Sequence, residues 1–251
     1  MSNVIEAIHM TQSSLLGRRC HSATTHVGYV RKINEDAILS RPELGLWVVS
    51  DGMGGHTGGD FASQTVVSAM NQLPVDLEPS EIMQEARTAL HKAHTTIKTE
   101  AARRGNGMIG ATAVLLVLSE EHFMCLWVGD SRLYRLRNDV LDMISFDHSV
   151  VGELVEQGRL TWSEAAQYPN SNQITRAVGV GDVLEIDKRR GDIMPGDRFL
   201  LCSDGLSQYA DTEILQQHLS DRPIETVADD LLTLALNGGA SDNVSIIAVE
   251  V

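Results

Sequence analysis

The stretch VVSDGMGGHTGGD, Val48 to Asp60, ends an apolar run in an aspartate and follows it with five glycines and a histidine. It has neither GK[ST] nor a GxGxxG that opens a helix, so a nucleotide cradle on backbone N–H groups fits poorly. A carboxylate at the end of a stiff strand, with glycines that let backbone carbonyls approach closely, suits a hard metal ion. Taken alone, the loop reads first as a glycine-rich turn carrying a solvated aspartate.

The rest of the chain changes that balance. Asp51-Gly52, Asp204-Gly205 and Asp242-Asn243 each sit beside an apolar strand-like run and next to a turn residue. Asp130 lies in VGDSR, and Glu35-Asp36 lies in RKINEDAI. Gathering several carboxylates without cations is very costly through desolvation and mutual repulsion, so such a cluster calls for metal. The donors are all oxygen, with no Cys or His in the pattern, which favours Mg²⁺ or Mn²⁺ over zinc. Two such ions ~3.5–4 Å apart are a standard device for hydrolysing phosphate esters. Arg31, close to Glu35-Asp36, could grip a phosphate with two N–H groups. The residues alone therefore predict a binuclear-metal hydrolase.

These carboxylates need rigid supports. LGLWVVSD (Leu44 to Asp51) and DRFLLCSDG (Asp197 to Gly205) read as buried strands, and NVSIIAVEV (Asn243 to Val251) closes the chain as a strand. ATAVLLVL (Ala111 to Leu118) and HFMCLWVGDSRLYRLR (His122 to Arg137) read as two strands of a hairpin across Ser119-Glu120-Glu121. A long helix is expected from about Ser80, its N-cap, to Arg104, with Ile82, Ala86, Ala89, Leu90, Ala93 and Ile97 on one stripe. A last helix, Ile224 to Leu236, should stop at Gly238-Gly239. Strands in hairpins with helices grouped between them indicate an α+β fold and not a doubly wound parallel sheet.

The chain has 251 residues and a hydrophobic fraction of 43%, enough for one large core built mostly of aliphatic residues. A net charge of −14 argues against a general nucleic-acid surface. Three scattered cysteines without a CxxC indicate neither a zinc site nor a disulfide framework. No signal segment or membrane span is evident, so a cytoplasmic location is expected.

RKINEDA, VVSDGMGGHTGGD, GATAVLLV, WVGDSRLY, ITRAVG, LLCSDGL and GASDNVSIIAVEV, in this order from about His21 to Val251, resemble the PPM (PP2C-type) metal-dependent serine/threonine protein phosphatases, most closely the compact bacterial type. The resemblance implies a four-layer αββα sandwich, two central antiparallel sheets flanked by helices, with the binuclear site at one end. It implies that Asp51 bridges two Mn²⁺ or Mg²⁺ ions and the Gly52 carbonyl completes one of them. Asp204 and Asp242 would bind the other, while Glu35 and Asp36 act mainly through water. Asp130 with Asp204 would hold a third, weaker ion. Arg31 would bind the substrate phosphate, and a water activated at the metal site would attack phosphoserine or phosphothreonine directly. Residues 1–17 would be an N-terminal extension, a short helix or disordered, and residues 18–251 the phosphatase domain, with a flap at about 149–173.

The same resemblance implies phosphorylated protein substrates, a cognate serine/threonine kinase and a monomer without nucleic-acid or membrane partners. Alternatives are a catalytically weak phosphoprotein-binding scaffold and a hydrolase of small phosphate esters. Met53 stands where many eukaryotic relatives carry a histidine assigned as general acid; His56 or a metal-bound water are the substitutes. His91 and His94 read as a solvated helix face, and Asp147-His148-Ser149 as the entry to the flap and not a catalytic relay. Asp60 reads as a helix-opening residue. Arg176 is either structural or paired with a site carboxylate.

Overall fold

The computed structural model describes residues 19–54, 58–105, 107–165, 168–169 and 173–251. The expected N-terminal extension and His56 lie outside them. Strands β1 (His21–His26), β2 (Asp36–Arg41), β3 (Leu46–Gly54), β4 (Ile109–Ala111), β5 (Ala113–Leu118) and β6 (His122–Val128) open the chain, with α1 (Gly58–Asn71) and α2 (Pro79–Arg103) between β3 and β4. There follow β7 (Arg132–Arg137), β8 (Val140–Met143), α3 (Val150–Glu156), α4 (Trp162–Ala165), β9 (Asp187–Asp192) and β10 (Arg198–Cys202). Helices α5 (Asp204–Ser207), α6 (Thr212–Asp221) and α7 (Ile224–Gly238) lead into β11 (Val244–Glu250).

The strands form two antiparallel sheets, one ordered β1-β11-β10-β7-β8 and the other β2-β3-β5-β6-β9, with β4 beside β3. Alternate residues of one strand serve different cores. In β5, Ala113, Leu115 and Val117 join a cluster with α1 and α2, whereas Val114, Leu116 and Leu118 face the other sheet. In β11, Val244, Ile246 and Ala248 pack on α6 and α7, whereas Ile247 and Val249 point between the sheets. Burial on both faces is why these strands read as unbroken apolar runs although antiparallel. Helix, sheet, sheet, helix is the four-layer sandwich that the resemblance implies.

Several local expectations need correction. The run His122 to Arg137 is not one strand: β6 belongs to one sheet and β7 to the other, and the chain crosses at Gly129-Asp130-Ser131. Gly129 adopts φ +100°, and a side chain there would strike Thr112, so the corner requires glycine. Strand β3 runs through Asp51 to Gly54 because β4 pairs with its end. Helix α2 is capped by Glu78 and not Ser80: Pro79 takes the first position, and Glu78 and Glu81 cap each other's backbone N–H reciprocally. The stripe from Ile82 to Ile97 is buried as expected. Helix α7 ends at Gly239, at φ +111°.

Candidate active site

The carboxylates come from adjoining strand ends of both sheets. Asp36 and Asp51 are direct partners across the β2–β3 ladder. The Asp51 N–H donates to Thr112 Oγ1 (2.9 Å), and the Thr112 N–H donates to the Asp51 carbonyl (2.8 Å). Thr112 Oγ1 also lies 2.6 Å from Ser131 Oγ, which ties the corner carrying Asp130 to the strand carrying Asp51. From the opposite sheet, Ser203 Oγ donates to Asp36 Oδ2 (2.8 Å) and accepts from the Ser245 N–H (3.0 Å). Asp204 opens α5 directly after β10, and Asp242 precedes β11.

Glycines close the packing around the recess. The Gly52 N–H donates to the Glu35 carbonyl (3.0 Å), and the Gly59 N–H donates to Glu35 Oε1 (3.1 Å). A side chain on Gly52 would overlap the Gly59 carbonyl, and one on Gly205 would overlap the Asn243 carbonyl. Met53 lies over Gly110, its methyl group filling the space a side chain there would need.

Electrostatics identify what the recess lacks. Burial raises the Asp51 carboxyl well above the usual range, and the charges of Asp36, Asp204, Asp130 and Asp242 push it further. Asp36 is pushed up to about 7, first by burial and then by Asp204 and Asp242, against hydrogen bonds from Ser245 and Ser203. Asp130 is raised by burial and by Asp204, and Asp204 by burial and Asp242, with the Asp51 carboxyl within hydrogen-bonding reach of it. Asp36 Oδ1 is buried with no hydrogen-bond partner. The nearest committed cation is Arg31, whose Nη2 donates to Asp242 Oδ2 at 2.7 Å. That hydrogen bond, then the charges of Asp242, Glu35 and Asp204, hold its guanidinium firmly protonated.

This donor set fits hard divalent cations: oxygen only, mutually repelling and short of positive charge. Among the described residues, no three acidic, histidine or cysteine side chains enclose an ion unaided. An ion here would complete its shell with water and backbone carbonyls, as Mg²⁺ does. Two surface grooves of about 730 and 570 Å³ run along α1 and α2, and neither is lined by a recess carboxylate.

Asn243 was not singled out for this role by sequence. Its Oδ1 accepts from the Glu35 N–H (2.7 Å), and its Nδ2 donates to the carbonyls of Val27 (2.8 Å) and Ile33 (3.1 Å). One amide thus pins the segment bearing Arg31, Glu35 and Asp36 to the start of β11. Its only sequence signal is its place beside Asp242 in a turn.

Other candidates fall outside the recess. Asp147 holds Arg132 with two hydrogen bonds, His148 Nδ1 accepts from the Gly129 N–H, and Ser149 caps α3, so the three side chains face different partners. Arg176 pairs with Asp187 and Glu185 and not with a recess carboxylate. His94 is buried, contrary to the solvated face expected for it: Gly179 donates its N–H to His94 Nδ1 across 2.9 Å. Asp60 lies in the first turn of α1.

Comparison with known proteins identifies the family and the fold. The family model described as Protein phosphatase 2C matches residues 29–236. The serine/threonine phosphatase stp of Listeria monocytogenes is 32% identical over 236 residues, covering 90% of this chain and 93% of that protein. Serine/threonine protein phosphatase PstP of Mycobacterium tuberculosis is 33% identical over 233 residues, but this chain spans only 45% of its length. The structure of the PstP catalytic domain in complex with two manganese ions superposes with a TM-score of 0.83 at 31% identity, covering 92% of this chain and 97% of that one. That of PppA, described as a key regulatory component of T6SS in Pseudomonas aeruginosa, gives 0.85 at 43% identity, with coverage of 92% and 97%. The chain belongs to the protein phosphatase 2C family.

Proposed function

We propose that this protein is a divalent-cation-dependent phosphatase that hydrolyses phosphoserine and phosphothreonine in proteins. The observation that carries the reading is the convergence of Asp36, Asp51, Asp130, Asp204 and Asp242, whose charges repel one another in one recess. In this reading Asp51, the Gly52 carbonyl, Asp204 and Asp242 would hold two Mn²⁺ or Mg²⁺ ions. Glu35 and Asp36 would contribute through water, and Asp130 with Asp204 would hold a third, weaker ion. Such ions, when bound, neutralise phosphoryl oxygens and bring the pKa of water toward neutrality.

The chain's own residues supply positioning. Ser203 and Thr112 fix the Asp36 and Asp51 strands from both sheets, so the carboxylates keep their places despite repulsion. Arg31 reaches the recess and has the planar donors to take two phosphoryl oxygens. Direct hydrolysis by water accords with the buried thiols: burial raises Cys125 and pushes Cys202 up to about 12, so neither offers a thiolate to accept the phosphoryl group.

The two manganese ions of the PstP catalytic domain support the choice of cofactor. A cytoplasmic monomer opposing a serine/threonine kinase belongs to the same proposal. The three cysteines are free and, among the described residues, no helix is long and apolar enough to cross a membrane.

The test is phosphate release from a phosphothreonine peptide in EDTA and after Mn²⁺ is restored. Release that stops and returns with the metal is expected. A folded protein that releases nothing at any Mn²⁺ or Mg²⁺ concentration would leave only the scaffold. Faster turnover of small esters than of every phosphopeptide would reassign the substrate class.

A further inference from the structure

The segment that carries Arg31 has a second feature. Nine large apolar side chains are exposed among the described residues, and three of them, Tyr29 (67%), Val30 (68%) and Ile33 (44%), fall within five consecutive positions. Singly scattered apolar residues are normal on a surface, but a cluster beside a binding site calls for an explanation.

The segment is firmly held. The Tyr29 N–H donates to the Ala240 carbonyl (2.9 Å), and Asn243 ties down Val27, Ile33 and Glu35. Gly28, at φ +77°, packs so tightly on the Asp242 carbonyl that a side chain would overlap it. The ring of His26 meets that of Tyr29 edge-on at 6.3 Å. The apolar groups therefore keep a fixed position relative to the recess while remaining in water.

We propose that Tyr29, Val30 and Ile33 form an apolar shelf that receives the side chains flanking the phosphorylated residue of a protein substrate, so that apolar flanks are preferred. This rests on the phosphatase reading. The occupant follows from continuity: in that reading Arg31, between Val30 and Ile33 in the chain, grips the phosphoryl group. An extended peptide advances ~3.3 Å per residue. Neighbours one and two positions from the phosphorylated residue then lie about 3–7 Å along it, the scale of a short loop. Phosphate charge alone cannot distinguish one phosphoprotein from another; an apolar contact beside it can.

The experiment compares two phosphothreonine peptides of equal length and charge in Mn²⁺, one with leucine and one with serine on both flanks. The leucine peptide should show about tenfold higher kcat/KM, chiefly through KM. In the Tyr29→Ser/Val30→Ser variant that ratio should fall toward one, with para-nitrophenyl phosphate turnover reporting on the metal centre itself. Equal turnover of both peptides by the unaltered protein overturns the proposal, and that comparison needs no variant. A variant that keeps the preference, or that loses all three substrates in proportion, also overturns it. So does a dimer, seen by sedimentation, that the variant dissolves, because a second copy then occupies the shelf. Silence toward every substrate would instead defeat the phosphatase reading.

Discussion

Strand β10 has an aspartate beyond each end, and the two are treated oppositely. Asp197, 1% exposed, accepts from Arg137 Nε at 2.7 Å and Nη2 at 2.5 Å and from the Met194 N–H at 2.8 Å. Asp204 accepts from Gln208 Nε2 at 3.2 Å, has the Asp51 carboxyl within hydrogen-bonding reach, and is raised by the charge of Asp242. Arg132 is near enough to moderate Asp204, yet its own hydrogen bonds go to Asp147 and Tyr134. One end of the sandwich pairs its buried aspartate with an arginine; at the other, Arg31 pairs with Asp242 while Asp36, Asp51, Asp130 and Asp204 repel one another. The difference shows that the acidic recess is not the ordinary way this fold accommodates buried carboxylates. Its oxygen-only donor set suits hard divalent cations.

The sharpest way to break this comparison is Asp51→Asn. Turnover should fall by roughly a thousandfold or more, about 4 kcal/mol of transition-state stabilisation. The melting temperature in EDTA should hold or rise, because a repelling charge is gone. Near-normal phosphate release by this variant would refute the site assignment.

Acidity tests the same end without substrate. In the metal-free fold Asp36 is pushed up from 3.8 to about 7. Between these values the folded state holds a proton that the unfolded chain has released. Stability therefore falls as pH rises from about 4 to about 7, by up to roughly 4 kcal/mol for this group. Urea midpoints in EDTA should be higher at pH 5 than at pH 7.5, and Asp36→Asn should reduce the difference, with Asp51, Asp130 and Asp204, also raised, supplying the rest. Parallel curves for both proteins would assign the linkage elsewhere.

The converse prediction concerns the far end. Arg137→Ala strands Asp197 without its cation and should cost about 3 kcal/mol in urea unfolding. Turnover of the folded, metal-saturated protein should stay as it was. A loss of activity exceeding the loss of folded protein would show that the two ends are coupled.

Asp51 and Asp204 were readable in sequence because each closes an apolar run before a glycine, although β3 continues to Gly54 and Asp204 opens α5. Asp36, Asp51, Asp204 and Asp242 do meet in one recess. The polar residues that hold them were not readable. Thr112, Ser203 and Asn243 act through partners set by register and sheet packing, with 61, 167 and 208 residues of separation along the chain. The β6–β7 crossing had a local signal, the polar break Gly129-Asp130-Ser131, but that the chain changes sheets there is set by packing between distant strands. The Glu78 cap, by contrast, had a wholly local signal: proline followed two positions later by glutamate.

That crossing has a mechanical consequence. The backbone passes between the sheets beside Asp130, so the sandwich is bound there like the spine of a book. At the opposite end the chain crosses again, over the five residues Ile193 to Asp197 between β9 and β10, and Arg137 of one sheet adds a hydrogen bond to the Asp192 carbonyl of the other at 2.7 Å. The crossing at Gly129-Asp130-Ser131 has three residues against five, so breathing of the two layers should be smaller on its side. Amide exchange would then be slowest beside Thr112 and Ser131, leaving the spacing of the carboxylates least disturbed by thermal motion.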